Sequence, residues 1–395
     1  MKSKFVNGPV NCIRLEGHVN SIKKVLYLFM DFHAKIDDQT RCDDKHAQNI
    51  KTYFQESFYN IKDNNKIYDF FLDISPSELL NPTQNNHNKK TYIEKVTNFF
   101  KKEFNMHNKS NLPNLRLHYT NIIDYMMGED GENFSFGILA SFINFIKQNS
   151  NGLGSTDYDQ IKKLLDETHE AIFNDIYDMI VKKKLLNFKK EKLIKNKDEY
   201  NATNFKNVSR YIINKILYKY KHDDIKIKFN EIIDGHLTNL IELSNDSYNN
   251  FDKAIKISKN ATIDLENKMP NNKKSNSKII EIYNDTYDNF YKYMTSIMDL
   301  LYCVVDIYFL RRFLDKDYVT NAIGYTDKLH FLNCIFYLVK YFDFKITHWS
   351  FLGGNINDIT DKIKHNDKSD DFKKFFIPPV VYQCTDLSNF PENFE

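Results

Sequence analysis

Lys24-Val25-Leu26-Tyr27-Leu28-Phe29-Met30-Asp31-Phe32-His33 is the stretch that decides the reading of this chain. An apolar, β-prone run stops abruptly at an Asp-x-His. It reads as a buried strand that delivers a carboxylate and an imidazole to its C-terminal end, the edge where open α/β sheets bind ligands.

Working outward, the N-terminal part alternates strand and helix signals. Val10 to Leu15 is a short β-like run closed by Gly17. Asp43 to Ile61 has helical spacing, with Ile50, Tyr53, Phe54 and Phe58 on one face and acidic residues at its start. Lys66 to Ile74 is a second strand, stopped by Ser75-Pro76, and an Asn-rich loop follows. Tyr92 to Phe104 is helical, and Leu115 to Ile123 is a third strand ending at Asp124. This β-α-β-α-β order implies parallel strands joined by right-handed crossovers.

From Phe134 to about Leu314 the apolar period becomes that of helices: Phe134 to Gln148, Tyr158 to Lys184, Phe205 to Lys221, Phe229 to Ser258 and Lys278 to Leu314. Pro270 to Ser277 reads as an interhelix loop. The tail returns to α/β. Tyr318 to Gly324 is a strand and turn, His330 to Tyr341 a helix, and Phe342 to Trp349 a strand. The fold class expected is therefore α/β: a small parallel sheet with flanking helices and a large all-helical insertion. Residues 1–133 and 315–395 form the discontinuous α/β domain, and 134–314 the insertion.

Bulk composition sets limits on function. With 42% hydrophobic and 15% aromatic residues the chain can bury a core. Lys and Arg number 55 against 53 Asp and Glu, so no basic excess marks a nucleic-acid binder, and no nucleic-acid partner is expected. The five cysteines, Cys12, Cys42, Cys303, Cys334 and Cys384, are scattered, with no Cys-x-x-Cys, which fits a reducing compartment better than a disulfide framework. Met1 to Pro9 has no apolar secretory core. The run Ile297 to Leu310 carries Asp299 and Asp306 and is too short to span a bilayer, so it reads as a core helix, with Arg311 or Arg312 as partners for its buried acids.

The chemistry-bearing residues collect at predicted strand ends. Asp31 and His33 close strand one. Asp73 and Asp124 close strands two and three, and His118 points from within strand three. Carboxylate and neutral imidazole together can hold zinc or manganese, or activate water. Strand-terminal Asp residues also cap turns, the reading preferred for Asp73 and Asp124. His46 follows Asp43-Asp44 one turn into the first predicted helix. His330 follows Gly324-Tyr325-Thr326-Asp327, where Asp327 is equally an N-cap. Phosphate-loop, dinucleotide, nucleophile-elbow and zincin motifs are absent from the sequence.

The runs Val10 to Gly17, Tyr27 to His33 and Leu115-Arg116-Leu117-His118-Tyr119, in a chain rich in Asn, Lys, Ile, Phe and Tyr, resemble uncharacterised proteins of mimivirus-like giant viruses. That resemblance implies an intracellular place, in host cytoplasm or virion. Met30-Asp31-Phe32-His33, Asp44-Lys45-His46-Ala47-Gln48 and Gly324 to His330 are also similar to the superfamily joining TraB/Tiki, ChaN-like and erythromycin-esterase-like proteins. Met30 stands where that pattern has Gly, and Asp31 where it has Glu. The resemblance implies Asp31, His33 and His330 as metal ligands or acid/base groups, with His46 as an additional metal ligand, for metal-assisted hydrolysis.

Two functions are thus expected. One is a viral structural or interaction protein on a degenerate hydrolase-like fold, with an unknown protein partner. The other is a metal-dependent hydrolase. Phe375 to Tyr382 is a candidate docking segment, or a strand packed on its own domain.

Overall fold

In the computed structural model, residues 4–38, 42–62, 65–75, 91–104, 111–123, 219–267, 273–366 and 369–394 are described, with 163, 166, 216 and 218 singly. The helices expected over 134–148 and 158–184, most of 205–221, and Asp124 lie outside them. In chain order the elements are β1 (Phe5–Asn7), β2 (Asn11–Val19), β3 (Ile22–Asp31), β4 (Gln48–Asn49), α1 (Ile50–Ile61), β5 (Tyr68–Leu72), α2 (Tyr92–Glu103) and β6 (Leu115–Tyr119). There follow α3 (Asp223–Asn267), α4 (Lys273–Asp315), β7 (Asn321–Asp327), α5 (Lys328–Phe342), β8 (Lys345–Trp349), α6 (Ile356–His365), α7 (Lys373–Phe376) and β9 (Cys384–Asp386).

The quoted stretch forms β3, the buried centre of a six-stranded sheet with order β6-β5-β7-β3-β2-β8. β6, β5, β7 and β3 run parallel. The sheet is mixed because β2 pairs antiparallel to both β3 and β8. β2 runs past Leu15 to Val19 and turns into β3 through Asn20 and Ser21, both at positive φ (49° and 66°). A two-residue turn of this hand matches strand twist. A second, three-stranded sheet of order β4-β1-β9 ties the C-terminal tail to the N-terminus.

Strand alternation sorts side chains onto two faces. Tyr27, Phe29, Phe70 and Tyr325 face one way, into a cluster with Phe54 and Phe58 of α1 and Phe100 of α2. The other face meets the C-terminal turns of α4. There Phe71 packs 4.4 Å from Phe309, and a Cβ on Gly324 would come within 2.8 Å of Leu28. Gly324 was expected to end its strand. It lies inside β7 instead, as a bare position that lets its neighbours close in.

α1 begins at Ile50, later than expected, because Asn49 is extended and its side chain accepts from Thr52 N. α2 opens on a capping box of Thr91 and Glu94. α4 begins at Lys273, inside the expected loop. Phe375 falls in the short helix α7, so the expected tail strand is not formed there. Val380, Val381 and Tyr382 are exposed.

The cysteines differ from expectation. Cys42 and Cys384 form a disulfide, while Cys12, Cys303 and Cys334 are buried and not disulfide-bonded. The pair is 342 residues apart in sequence, so no local spacing could signal it.

The chain divides into two compact units. One comprises Met1–Ile122, Tyr220–Ile225 and Val305–Glu395, and holds both sheets. The other comprises Ile123–Lys219 and Lys226–Val304. In its described part α3 lies along α4: Ser247 Oγ donates to Asn289 O at 3.0 Å, Asn239 Nδ2 to Ser296 Oγ at 3.2 Å, and Tyr248 packs on Phe290. Asn284–Asp315 is long and apolar enough to cross a membrane by length and composition, but 67% of its most apolar 18-residue stretch is buried, as in a core helix.

Candidate functional site

β5 and β7 are neighbours, and their C-terminal ends place Asp73 and Asp327 side by side. Asp327 NH donates to Asp73 Oδ2 at 3.1 Å. Asp327 is extended and N-caps α5, its Oδ1 accepting from His330 NH at 2.9 Å. Capping brings the first turn of α5, and so His330, onto the strand ends. One donor atom each from Asp73, Asp327 and His330 lies within 4.8 Å of the others, an arrangement able to hold a metal ion. Asp73 and His330 are buried and Asp327 is half-buried. Asp73 Oδ1 is buried without a hydrogen-bond partner, a state that in native proteins asks for a water or an ion.

α4 supplies the group behind the histidine. Asp306 is buried, and its Oδ1 meets His330 Nδ1 at 2.6 Å while Oδ2 accepts from Asn333 Nδ2 at 2.7 Å. Metal-bound imidazoles are oriented in this way by a carboxylate on one ring nitrogen while the other ligates. Burial pulls the His330 pKa down, but Asp306 and Asp73 outweigh it and hold the ring protonated. Burial pushes Asp306 above the ordinary carboxylate range, and His330 acts against that push.

The position in the sheet matters. β3 and β5 lead into α1 and α2 on one face, whereas β7 leads into α5, joined to α4 on the other. β7 lies between β3 and β5, so chain connections diverge at its C-terminal end, where α/β sheets open a crevice for ligands.

Of the residues expected from sequence, His330 belongs to this group. Asp31 does not, though it stands directly beside Asp327 in the β3–β7 register. It faces the α1/α2 side. Its Oδ2, the Tyr325 hydroxyl and Gln383 Oε1 are buried without hydrogen-bond partners, and burial pushes its pKa up to about 6. His33 sits beyond the strand at φ 51°, exposed, with Nε2 3.8 Å from Asp31 Oδ2. His46 lies on an exposed turn before α1, and the expected place inside the helix is lost because the helix starts later. Among the described residues, the acid–histidine group with mutually close donors is Asp73, Asp327 and His330, and Asp31, His33 and His46 are outside it.

Asp73, read as a cap, accepts a backbone bond and also faces the site. Asp306 was expected to pair with Arg311 or Arg312. Arg311 instead lies over the Tyr220 ring, and His330 takes Asp306. A buried acid in an apolar helix signalled a partner without naming it. His118 binds Asp69 within the sheet, away from the group.

The family model described as "Family of unknown function (DUF5847)" matches residues 4–395. Three uncharacterized proteins of Acanthamoeba polyphaga mimivirus align over the chain. One is 32% identical, covering 100% of this chain and 97% of its own. A second is 30% identical, covering 99% and 98%, and a third 31% identical, covering 99% and 97%. No solved structure matches significantly. None of these relatives carries a TraB/Tiki, ChaN-like or erythromycin-esterase-like name. The chain belongs to DUF5847, a family of unknown function with full-length relatives in a giant virus.

Proposed function

We propose that Asp73, Asp327 and His330 form a divalent-cation site, for zinc or manganese, and that the protein uses it for metal-dependent hydrolysis. The observation that carries this reading is the buried Asp73 Oδ1, without a hydrogen-bond partner, on a residue that offers one of three ligand atoms within 4.8 Å of one another. When bound, such an ion supplies a hydroxide at neutral pH and polarises the scissile group. Asp73 and Asp327 bring charge to the ion, and half-buried Asp327 lies toward solvent. Asp306 and Asn333 hold the His330 ring.

A second reading, a viral structural or interaction protein that retains the fold, is favoured by one observation. The His330 imidazolium already offsets part of the acid charge around it, so the cluster can serve as a buried ion-pair lock. The Cys42–Cys384 disulfide supports a place in the virion rather than in reduced cytoplasm.

Calorimetric titration of the full chain with zinc and with manganese separates the two readings. A metal centre gives one saturable site per chain, lost in Asp73→Asn and His330→Ala, with circular dichroism showing that both variants are folded. A lock gives no saturable site, and Asp73→Asn then changes stability alone.

A further inference from the structure

A separate cavity of about 220 Å³ lies at the β6 edge of the sheet, on the α4 side. Phe71, Leu117 and Phe309 make its apolar wall, and His118, Thr120 and Arg312 bring polar groups to it. The His118 ring lies on Phe71 with centroids 4.8 Å apart, and Phe71 in turn packs on Phe309. Asp69, fully buried, fixes the imidazole through Nε2 at 2.7 Å. The charge of Asp69 is met inside the sheet by Arg116, whose Nε and Nη2 donate to its two oxygens at 2.8 and 2.5 Å.

Among the described residues Arg312 has no such counterpart. Its Nε is buried without a hydrogen-bond partner, and among the described residues no carboxylate pairs with it. A buried guanidinium N–H left unsatisfied is costly, and arginine beside a flat apolar wall suits a planar or tetrahedral oxyanion carried on an apolar body. Burial lowers the His118 pKa, and Arg312 and Arg116 lower it further against the pull of Asp69. His118 is therefore a neutral hydrogen-bonding group, and the fixed charge facing the cavity is that of Arg312.

We propose that this cavity binds a small organic anion, its phosphate or carboxylate group held by Arg312 and its flat apolar or aromatic body laid against Phe71 and Phe309. None of its lining residues belongs to the Asp73–Asp327–His330 group, so this proposal and the metal reading stand or fall separately.

Phenyl phosphate and benzoate are titrated into the full chain by calorimetry, with inorganic phosphate and benzyl alcohol as controls. At least one aromatic anion is expected to bind saturably, about tenfold or more tighter than either control, with the tighter of the two identifying the anionic group. Arg312→Gln is expected to weaken that binding by about tenfold or more, the scale of a lost charge-assisted hydrogen bond. Arg312→Lys keeps part of it, and unchanged near-UV circular dichroism shows that both variants are folded. If neither aromatic anion saturates, if a control binds equally well, or if Arg312→Gln binds as the parent does, the proposal is overturned.

Discussion

Replacing Asp306 with Asn removes one charge from a buried pair while leaving the shape of the side chain. The Asp306 and His330 side chains are 1% and 5% exposed, and the 2.6 Å contact is reinforced by Asn333. Breaking such a pair by deleting one partner costs about 3–5 kcal/mol, because the other charge stays buried. The pH dependence is the sharper expectation. The His330 pKa is raised above its unfolded value of 6.5 to about 10, so its proton stabilises the fold fully below pH 6.5 and that gain is lost as pH rises toward 10. Asp306 is raised above the ordinary carboxylate range by its burial, so it too holds its proton more tightly in the fold, and stability falls as pH rises through that interval. The stability gap between parent and Asp306→Asn therefore narrows as pH rises toward 10. Urea denaturation across pH 5 to 10, followed by circular dichroism, measures it. A gap under about 1 kcal/mol, or one independent of pH, would refute the pairing.

Asp31→Asn is expected to stabilise the protein at pH 7–8. The carboxylate is raised from 3.8 to about 6, so the fold loses stability as pH rises through that interval, by up to ~3 kcal/mol, and the amide avoids the loss. Thermal melts at pH 4 and pH 8 read the difference, and equal shifts at both would contradict the assignment. Cys42→Ser is expected to destabilise by up to ~5 kcal/mol through the long loop it opens, and alkylated protein should migrate differently with and without reductant. Gly17→Ala should cost ~1–3 kcal/mol, since its Cβ would lie 2.6 Å from the Phe344 ring. Gly235→Ala, in α3 with nothing within 4 Å, should gain roughly 0.5–1 kcal/mol, and the same sign for both glycines would contradict the packing described.

Periodicity made the inner strands and α2 legible, because Phe70, Phe71 and Leu72 or Val96, Phe99 and Phe100 leave little other reading. The β2–β3 hairpin escaped because Asn20-Ser21 lacks the glycine that usually announces two positive-φ residues. Gly324 misled for the converse reason: its small size answers the approach of Leu28 and Phe309 within a strand, not a turn. β1, β4 and β9 are two or three residues long and have no period to read. At the site, His330 was legible from its place after a strand and a polar turn. Its partners were not, because Asp73, Asp306 and Asp327 come from three elements joined only by the topology. The β7 insertion between β3 and β5 turns the alternation of strands in sequence into a different order in space. Asp31 is paired in register with Asp327, but it is Asp327 whose side chain caps α5 and so joins His330.

The central claim is that Asp73, Asp327 and His330 are metal ligands, and proton counting on zinc binding tests it most directly. His330 must give up its proton to ligate, so calorimetry at pH 7.5 in two buffers of different ionisation enthalpy should show one saturable site releasing about one proton per zinc. That release should vanish in His330→Ala. Binding without proton release, binding undiminished in Asp73→Asn, or no saturable binding would contradict the claim and leave the cluster as a buried ion-pair lock.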